Sequence, residues 1–423
     1  FTSDASLISF TLDELSSSSK FLFLTKIFDA SLDASIAIFI KFLRSIIIII
    51  LEIISFFLNM YFLYTNYFLA IIITMDVKIL ISLFFISFVT SFMFNIIFRS
   101  IAKKNKILID LPDKSRKFHK RPTPLTGGIS IFLGSIISIY VSNNLGVFDS
   151  TVTLYDFSII TACSLIVVIF LLDDFFSIGA NFRLITQVLI CILLVLLSDI
   201  YLVELGNLFG FGEWHLGIFG PAFTVFCAVG IMNAFNMIDG VNGLCSGLSV
   251  IVILMLGVFH YGFQETHLIF LFGAISSFLI FNLGVIGKKR WVFLGDHGSN
   301  LLGFLIAFSL IGASQEPVYN FSPVTALWYV AIPLLDCLGL ITKRLYRGDG
   351  PFQPDRDHLH HRLMASGYSS KNTMFIIIVI ALCTALIGYF LQILTNDFVS
   401  FYCFAIYAAI FYYCSHIVNL KDV

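Results

Sequence analysis

Five polar stretches carry the residues that could do chemistry. Two adjacent carboxylates close an apolar run in Leu172-Asp173-Asp174-Phe175-Phe176-Ser177. Another lies between glycines in Phe293-Leu294-Gly295-Asp296-His297-Gly298-Ser299-Asn300. Asn233, Asn236 and Asp239 fall at i, i+3 and i+6, which puts three polar side chains on one helix face. Gly240 and Gly243 follow and allow a tight turn or a close backbone approach. Three of the nine histidines fall within four positions in Asp355-Arg356-Asp357-His358-Leu359-His360-His361-Arg362. Basic and hydroxyl residues lead into a glycine pair in Lys120-Arg121-Pro122-Thr123-Pro124-Leu125-Thr126-Gly127-Gly128. Hard oxygen ligands set among Lys, Arg and His suit Mg²⁺ and a polyphosphate substrate.

Each stretch also has a plainer reading. Asp173 and Asp174 fit solvated loop carboxylates, cation ligands or a proton acceptor equally well. The 120–128 stretch is better explained as a basic juxtamembrane loop than as an anion site at a helix start. Asp296 can both ligate a hard cation and cap the helix that follows. Helix capping accounts for one polar residue among 233–243 but hardly for four, so that stretch favours function. The histidines sit between Arg356 and Arg362, with Asp355 and Asp357 as candidate orienting partners. No second pair of ligands lies at finger-like spacing, so phosphate is favoured over zinc.

The elements that must position these residues are apolar. Of 423 residues, 58% are hydrophobic and 12% charged, about half the usual share of charge. This excludes a soluble enzyme, a disordered chain and a nucleic-acid binder, and leaves an all-α polytopic membrane protein. Eleven candidate spans follow from position 75: 77–98, 126–142, 154–172, 184–203, 217–235, 243–260, 266–286, 298–314, 324–342, 373–394 and 397–418. About ten to eleven transmembrane helices are therefore expected. The eight cysteines lie mostly within apolar runs and read as small buried hydrophobes.

Charge sets the orientation. The alternate loops 99–125, 173–183, 236–242, 287–297 and 343–372, with the C-terminal tail, hold 20 of the 25 Lys and Arg residues. The opposite loops 143–153, 204–216, 261–265, 315–323 and 395–396 hold none, and carry Asp149, Glu204, Glu213, Glu265 and Glu316 instead. The positive-inside rule places the first set in the cytoplasm. All five polar stretches then share that face. A transporter would instead place ionisable groups near the bilayer midplane, where this chain has few. Residues 1–74 are less well patterned and contain one methionine, Met60, before Met75. They are expected to be an upstream extension, or else an extra membrane anchor, ahead of an integral-membrane domain at 75–423.

In combination and in order, TPLTGG, LDD, NAFNMIDGVNGL, FLGDHGS and PDRDHLHHRL resemble the polyprenyl-phosphate N-acetylhexosamine-1-phosphate transferases. The resemblance runs from about Lys78 to the end of the chain. The H-x-H-H form after PDRD is similar to the WecA-type branch rather than to the MraY-type, phospho-MurNAc-pentapeptide branch. It implies transfer of a HexNAc 1-phosphate from a UDP-sugar to undecaprenyl phosphate in the bacterial inner membrane, with release of UMP. It also implies an active site at the cytoplasmic face, Mg²⁺ or Mn²⁺ as cofactor, and it allows a homodimer. A lipid-linked sugar transporter is the rival from another class.

Residue by residue, the resemblance assigns Asp296 as principal Mg²⁺ ligand and Phe293 as the stacking partner of uracil. Asn236 and Asp239 match positions near nucleotide or metal, and Lys120 and Thr123 the basic and hydroxyl positions beside the nucleotide. Asp173 and Asp174 match an acidic pair assigned to lipid-phosphate activation or metal binding. His358, His360 and His361 match the motif that contacts the diphosphate, where Arg356 adds charge. A phosphate monoester has its second pKa near 6, roughly, so the acceptor is already largely dianionic at neutral pH. Electrostatic or positioning roles therefore suit Asp173 and Asp174 better than obligatory proton abstraction. Two departures bear on substrate detail: Ser177 stands where relatives often have a further acid, and Asn242 where many have Asp.

Overall fold

The first helix shows why the chain belongs in lipid. In α1 (Val77–Asn105), Ile81, Phe85, Val89, Met93, Ile97 and Ile101 recur every four residues and are exposed. Ser87, Ser91 and Asn95 recur at the same interval on the other face and are fully buried. The buried face is thus the more polar one, the reverse of a soluble helix. Small hydroxyl residues there let neighbours approach, as expected between helices in a bilayer. Ser87 Oγ donates to the Phe270 carbonyl and Ser91 Oγ to that of Ala274.

The computed structural model describes residues 77–111, 121–147, 154–176, 178–260, 266–316, 318, 320–348, 350 and 357–417. All of them fall within one compact unit. The suggested extension over 1–74, and Lys120, Ser177, Asp355 and Arg356, lie outside the described residues. After α1 come β1 (Ile109–Asp110) and β2 (Thr123–Pro124), paired antiparallel, then α2 (Gly127–Asn144), α3 (Leu154–Phe176) and α4 (Ala180–Ser198). The chain continues through α5 (Gly220–Ile238), α6 (Leu244–Phe259), α7 (Thr266–Asn282) and α8 (Asp296–Gln315). It ends with α9 (Pro323–Tyr329), α10 (Ala331–Tyr346), α11 (Leu359–Ala365), α12 (Ser370–Leu394) and α13 (Asp397–Tyr412).

All eleven expected spans become helix, so the all-α reading holds. By length and composition seven helices among the described residues can cross a membrane, or eight if α9 and α10 form one span. The expected count of ten to eleven is reduced because α6 and α7 are only 16 and 17 residues long, and the glycine- and serine-rich α2 is not among the seven. The span expected at 324–342 is broken: α9 and α10 meet at 81°. Val330 lies at the bend, and Pro333 in the first turn of α10 lacks the N–H that would continue the ladder.

The helix that matters most for the site is α8. It is the most enclosed of the span-length helices, packed against α2, α3, α5 and α6. Gly303 lets it approach the α5 backbone at Met232. Its N-terminus, the C-termini of α3 and α5, the start of α2 and the first turn of α11 all come together at one end of the bundle. At its other end Gln315 Oε1 accepts from the amides of Val203 and Glu204. All eight cysteines are free, four of them buried.

Candidate active site

Backbone bonds bring the Gly-Gly and Asp296 stretches together. Gly127 N donates to Phe293 O at 2.9 Å, Gly128 N to Leu294 O at 3.0 Å, and Phe293 N to Pro124 O at 2.8 Å. The amides suggested by the sequence as an anion cradle are therefore used to anchor the segment that leads into α8. Added Cβ atoms at Gly128 or Gly298 would overlap the facing backbone, so both glycines are required by the close approach of α2 and α8. Asn282 completes this frame: its Oδ1 accepts from Gly243 N at 2.6 Å and its Nδ2 donates to Val292 O at 2.9 Å.

The acidic pair at the end of α3 faces α8 rather than open solvent. Asp174 Oδ2 lies 2.6 Å from His297 Nδ1, and Asp174 Oδ1 accepts from Asp296 N at 3.2 Å. Asp173 accepts from Ile178 N at 2.6 Å and pairs with Arg183 at 3.4 Å. The same guanidinium reaches Asp296 Oδ2 at 3.0 Å. Arg183 thus ties together two carboxylates that are far apart in sequence. Below them runs a buried amide ladder. Asn233 Nδ2 donates to Gln187 Oε1 at 2.8 Å, Gln187 Nε2 to Asn300 Oδ1 at 2.6 Å, and Asn300 Nδ2 to Asp296 O at 2.8 Å. Ser299 Oγ donates to Asn236 Oδ1 at 2.7 Å, joining α8 to α5.

A cleft of about 780 Å³ opens beside this frame. Its walls include Asp239, Asp296, Phe293, His361, Arg121 and Lys288. Trp291 forms part of the same wall, with Lys288 Nζ 5.9 Å from the centroid of its ring. Burial holds the Asp239 carboxyl well above the usual carboxylate range, and the negative charges of Asp296 and Asp174 push it further. Such a pocket favours a cation. Mg²⁺ is commonly held by one or two carboxylates plus substrate oxygens, and Asp296 with Asp239 fits that pattern. Among the described residues no group of three or more His, Cys, Asp or Glu converges as an all-protein metal cage.

Of the expected site residues, Asp239, Asp296, Phe293 and His361 are brought to the cleft. Asp173, Asp174 and Asn236 stand behind it, bound to Arg183, His297 and Ser299. Thr123 is buried in β2, donating to the Arg121 carbonyl. His360 is buried against Gly240, and among the described residues neither of its ring nitrogens has a hydrogen-bond partner. Burial, with His361 and His358 adding repulsion, pushes its pKa down to about 3, so the ring is neutral. His358 is held by Asp336, not by Asp357, which pairs with Lys343 and Arg347. Lysine and arginine lower the Asp357 pKa against the opposing effect of burial.

Arg183, Gln187 and Asp336 were not among the expected residues. Arg183 and Gln187 share one face of α4, four residues apart, and Asp336 lies in the apolar part of α10; none belongs to one of the five polar stretches. The available signal was the cost of a polar group inside a span, which makes such a residue a site candidate by itself.

The family model described as glycosyl transferase family 4 matches residues 157–314, from α3 to the end of α8. Three relatives carry the name undecaprenyl-phosphate alpha-N-acetylglucosaminyl 1-phosphate transferase. The protein of Yersinia pestis is 37% identical over 70% of this chain and 81% of its own length. That of Escherichia coli (strain K12) is 36% identical over 71% and 82%. That of Haemophilus influenzae is 36% identical over 72% and 84%. With several apolar helices and this similarity across most of each relative, the chain is a multi-pass membrane protein that belongs to glycosyl transferase family 4.

Proposed function

We propose that the protein transfers N-acetylglucosamine 1-phosphate from its UDP derivative to undecaprenyl phosphate and releases UMP, at the cytoplasmic face of a bacterial inner membrane. The observation that carries this reading is the joining of Asp239, Asp296, Phe293 and His361 around one cleft, in a chain similar to enzymes named for that reaction. The concentration of Lys and Arg in the loops at that end supports the orientation.

In the reaction an oxygen of the lipid phosphate bonds to the β-phosphorus. The bond from that phosphorus to the bridging oxygen breaks, and the oxygen leaves on UMP. Two anions must meet, so the chief task is charge neutralisation and alignment. Asp296 and Asp239 would hold Mg²⁺, which supplies positive charge to the diphosphate when bound. Arg121 and Lys288 add fixed positive charge to the wall, and His361 offers hydrogen bonds. Phe293 presents a ring on which uracil would stack. Arg183 keeps Asp296 in place from behind.

The test is a transfer assay with purified protein, undecaprenyl phosphate and a panel of radiolabelled UDP-sugars. UDP-N-acetylglucosamine should give the labelled lipid in the presence of Mg²⁺, with loss on chelation and recovery on Mg²⁺ addition. Preference for another UDP-sugar would replace the sugar in this reading, and failure of all of them would overturn it.

A further inference from the structure

Asp336 is 1% exposed and lies outside the cleft, on α10 just beyond the bend at Val330. A buried carboxylate without donors would be costly, and here both oxygens are used by the histidine segment. Oδ2 pairs with His358 Nδ1 at 2.9 Å, and Oδ1 accepts from Leu359 N at 2.8 Å. Leu359 N is the first amide of α11, a donor that no carbonyl within that helix can satisfy. One side chain therefore holds both the ring of His358 and the start of the helix that carries His360 and His361.

The consequences reach the cleft through direct contacts. A carboxylate at Nδ1 requires a proton on that nitrogen, and Nε2 is left for another partner. The His358 ring stacks on His360 with centroids 5.4 Å apart, and His360 meets His361 at 4.2 Å. His360 is fixed on its far side by Gly240, next to Asp239. His361 then forms part of the cleft wall.

We propose that Asp336 is the positioning residue of the histidine segment. It holds His358 Nδ1 and Leu359 N, and so sets the His358 tautomer and the place of His361 at the cleft. The kinetic part of this proposal rests on the transferase reading above; the structural part does not.

The experiment uses the purified full chain and the variants Asp336→Asn, His358→Gln and the double variant. Asp336→Asn preserves shape but replaces one acceptor oxygen with a donor. Hydrogen–deuterium exchange over 357–365 is expected to quicken about tenfold, with α5 and α8 unchanged. Unchanged exchange over 357–365 would overturn the proposal. His358→Gln removes the ring half of the contact and is expected to quicken exchange there about threefold. It decides the matter in the same way should Asp336→Asn not fold. In the transfer assay each single variant should lose about 10–100-fold in kcat while KM for the lipid phosphate stays the same. The double variant should be no worse than the poorer single one. Losses that multiply would show that Asp336 does not act through His358, and would contradict the proposal. A wild-type chain with no turnover on any UDP-sugar would count against the transferase reading, and the exchange result would then decide the role of Asp336.

Discussion

Asp296 differs from its acidic neighbours in exposure: its side chain is 41% exposed, against 4% for Asp173 and 7% for Asp174. It is the carboxylate best placed to meet a cation and a diphosphate from the cleft. Asp296→Asn is expected to lower turnover by at least about 100-fold with normal insertion, as read by the transfer assay and by the yield of folded protein. Near-normal turnover at limiting Mg²⁺ would shift the metal site to another carboxylate. His360 lends itself to a different measurement. Its pKa is depressed to about 3 in the folded chain, and an unfolded histidine takes up its proton near 6.5, roughly. The unfolded state therefore binds more protons between these values, and stability falls as pH drops through that window. At pH 5 the cost is about 2 kcal/mol relative to pH 8. Thermal unfolding at the two pH values should show a smaller difference in His360→Gln than in the wild type. Gly240→Ala is expected to disrupt the same contact from the other side, because an added Cβ would overlap His360 Nε2.

At the scale of elements, the position of Asp296 depends on the frame around α8. Gln187 connects α4 to both α5 and α8 through Asn233 and Asn300. Gln187→Leu leaves Asn300 Oδ1 without its donor, at a cost of about 1–3 kcal/mol, and takes from Asn233 Nδ2 one of its two acceptors, the Val229 carbonyl remaining. A lower melting temperature together with reduced turnover is expected, and an unchanged melting temperature would show that the ladder does not stabilise the frame. The helices themselves were legible from apolar runs, because a span must satisfy its own backbone. The bend at Val330 was not. Ala331, Ile332, Leu334 and Leu335 continue the apolar run through it, and Pro333 is its only mark. Of the residues brought to the cleft, Asp239, Asp296 and His361 were legible as candidates because glycines and clustered polar residues interrupt otherwise apolar sequence, and Phe293 from the family resemblance. Spacing alone could not show that Arg183 reaches Asp296 across 113 positions, or that the histidines answer to a carboxylate in another helix.

For the whole molecule, Arg121 and Lys288 bring two of the basic loops to the cleft wall, and the positive-inside rule assigns those loops to the cytoplasm. In a cysteine-free background, an impermeant thiol reagent added from outside is expected to label single cysteines at positions 146 and 263 but not at 118 or 368. Labelling at 118 would reverse the orientation. If this cleft moves a phosphorylated sugar, the β-phosphate travels with it. The most direct measurement uses UDP-N-acetylglucosamine labelled with ³²P at the β-phosphate, with purified protein, undecaprenyl phosphate and Mg²⁺. The expected result is label in the lipid fraction and unlabelled UMP in the aqueous phase in equal amounts. Labelled UDP in the aqueous phase, beside a lipid that carries the sugar without the label, would mean glycosyl transfer and would contradict the account.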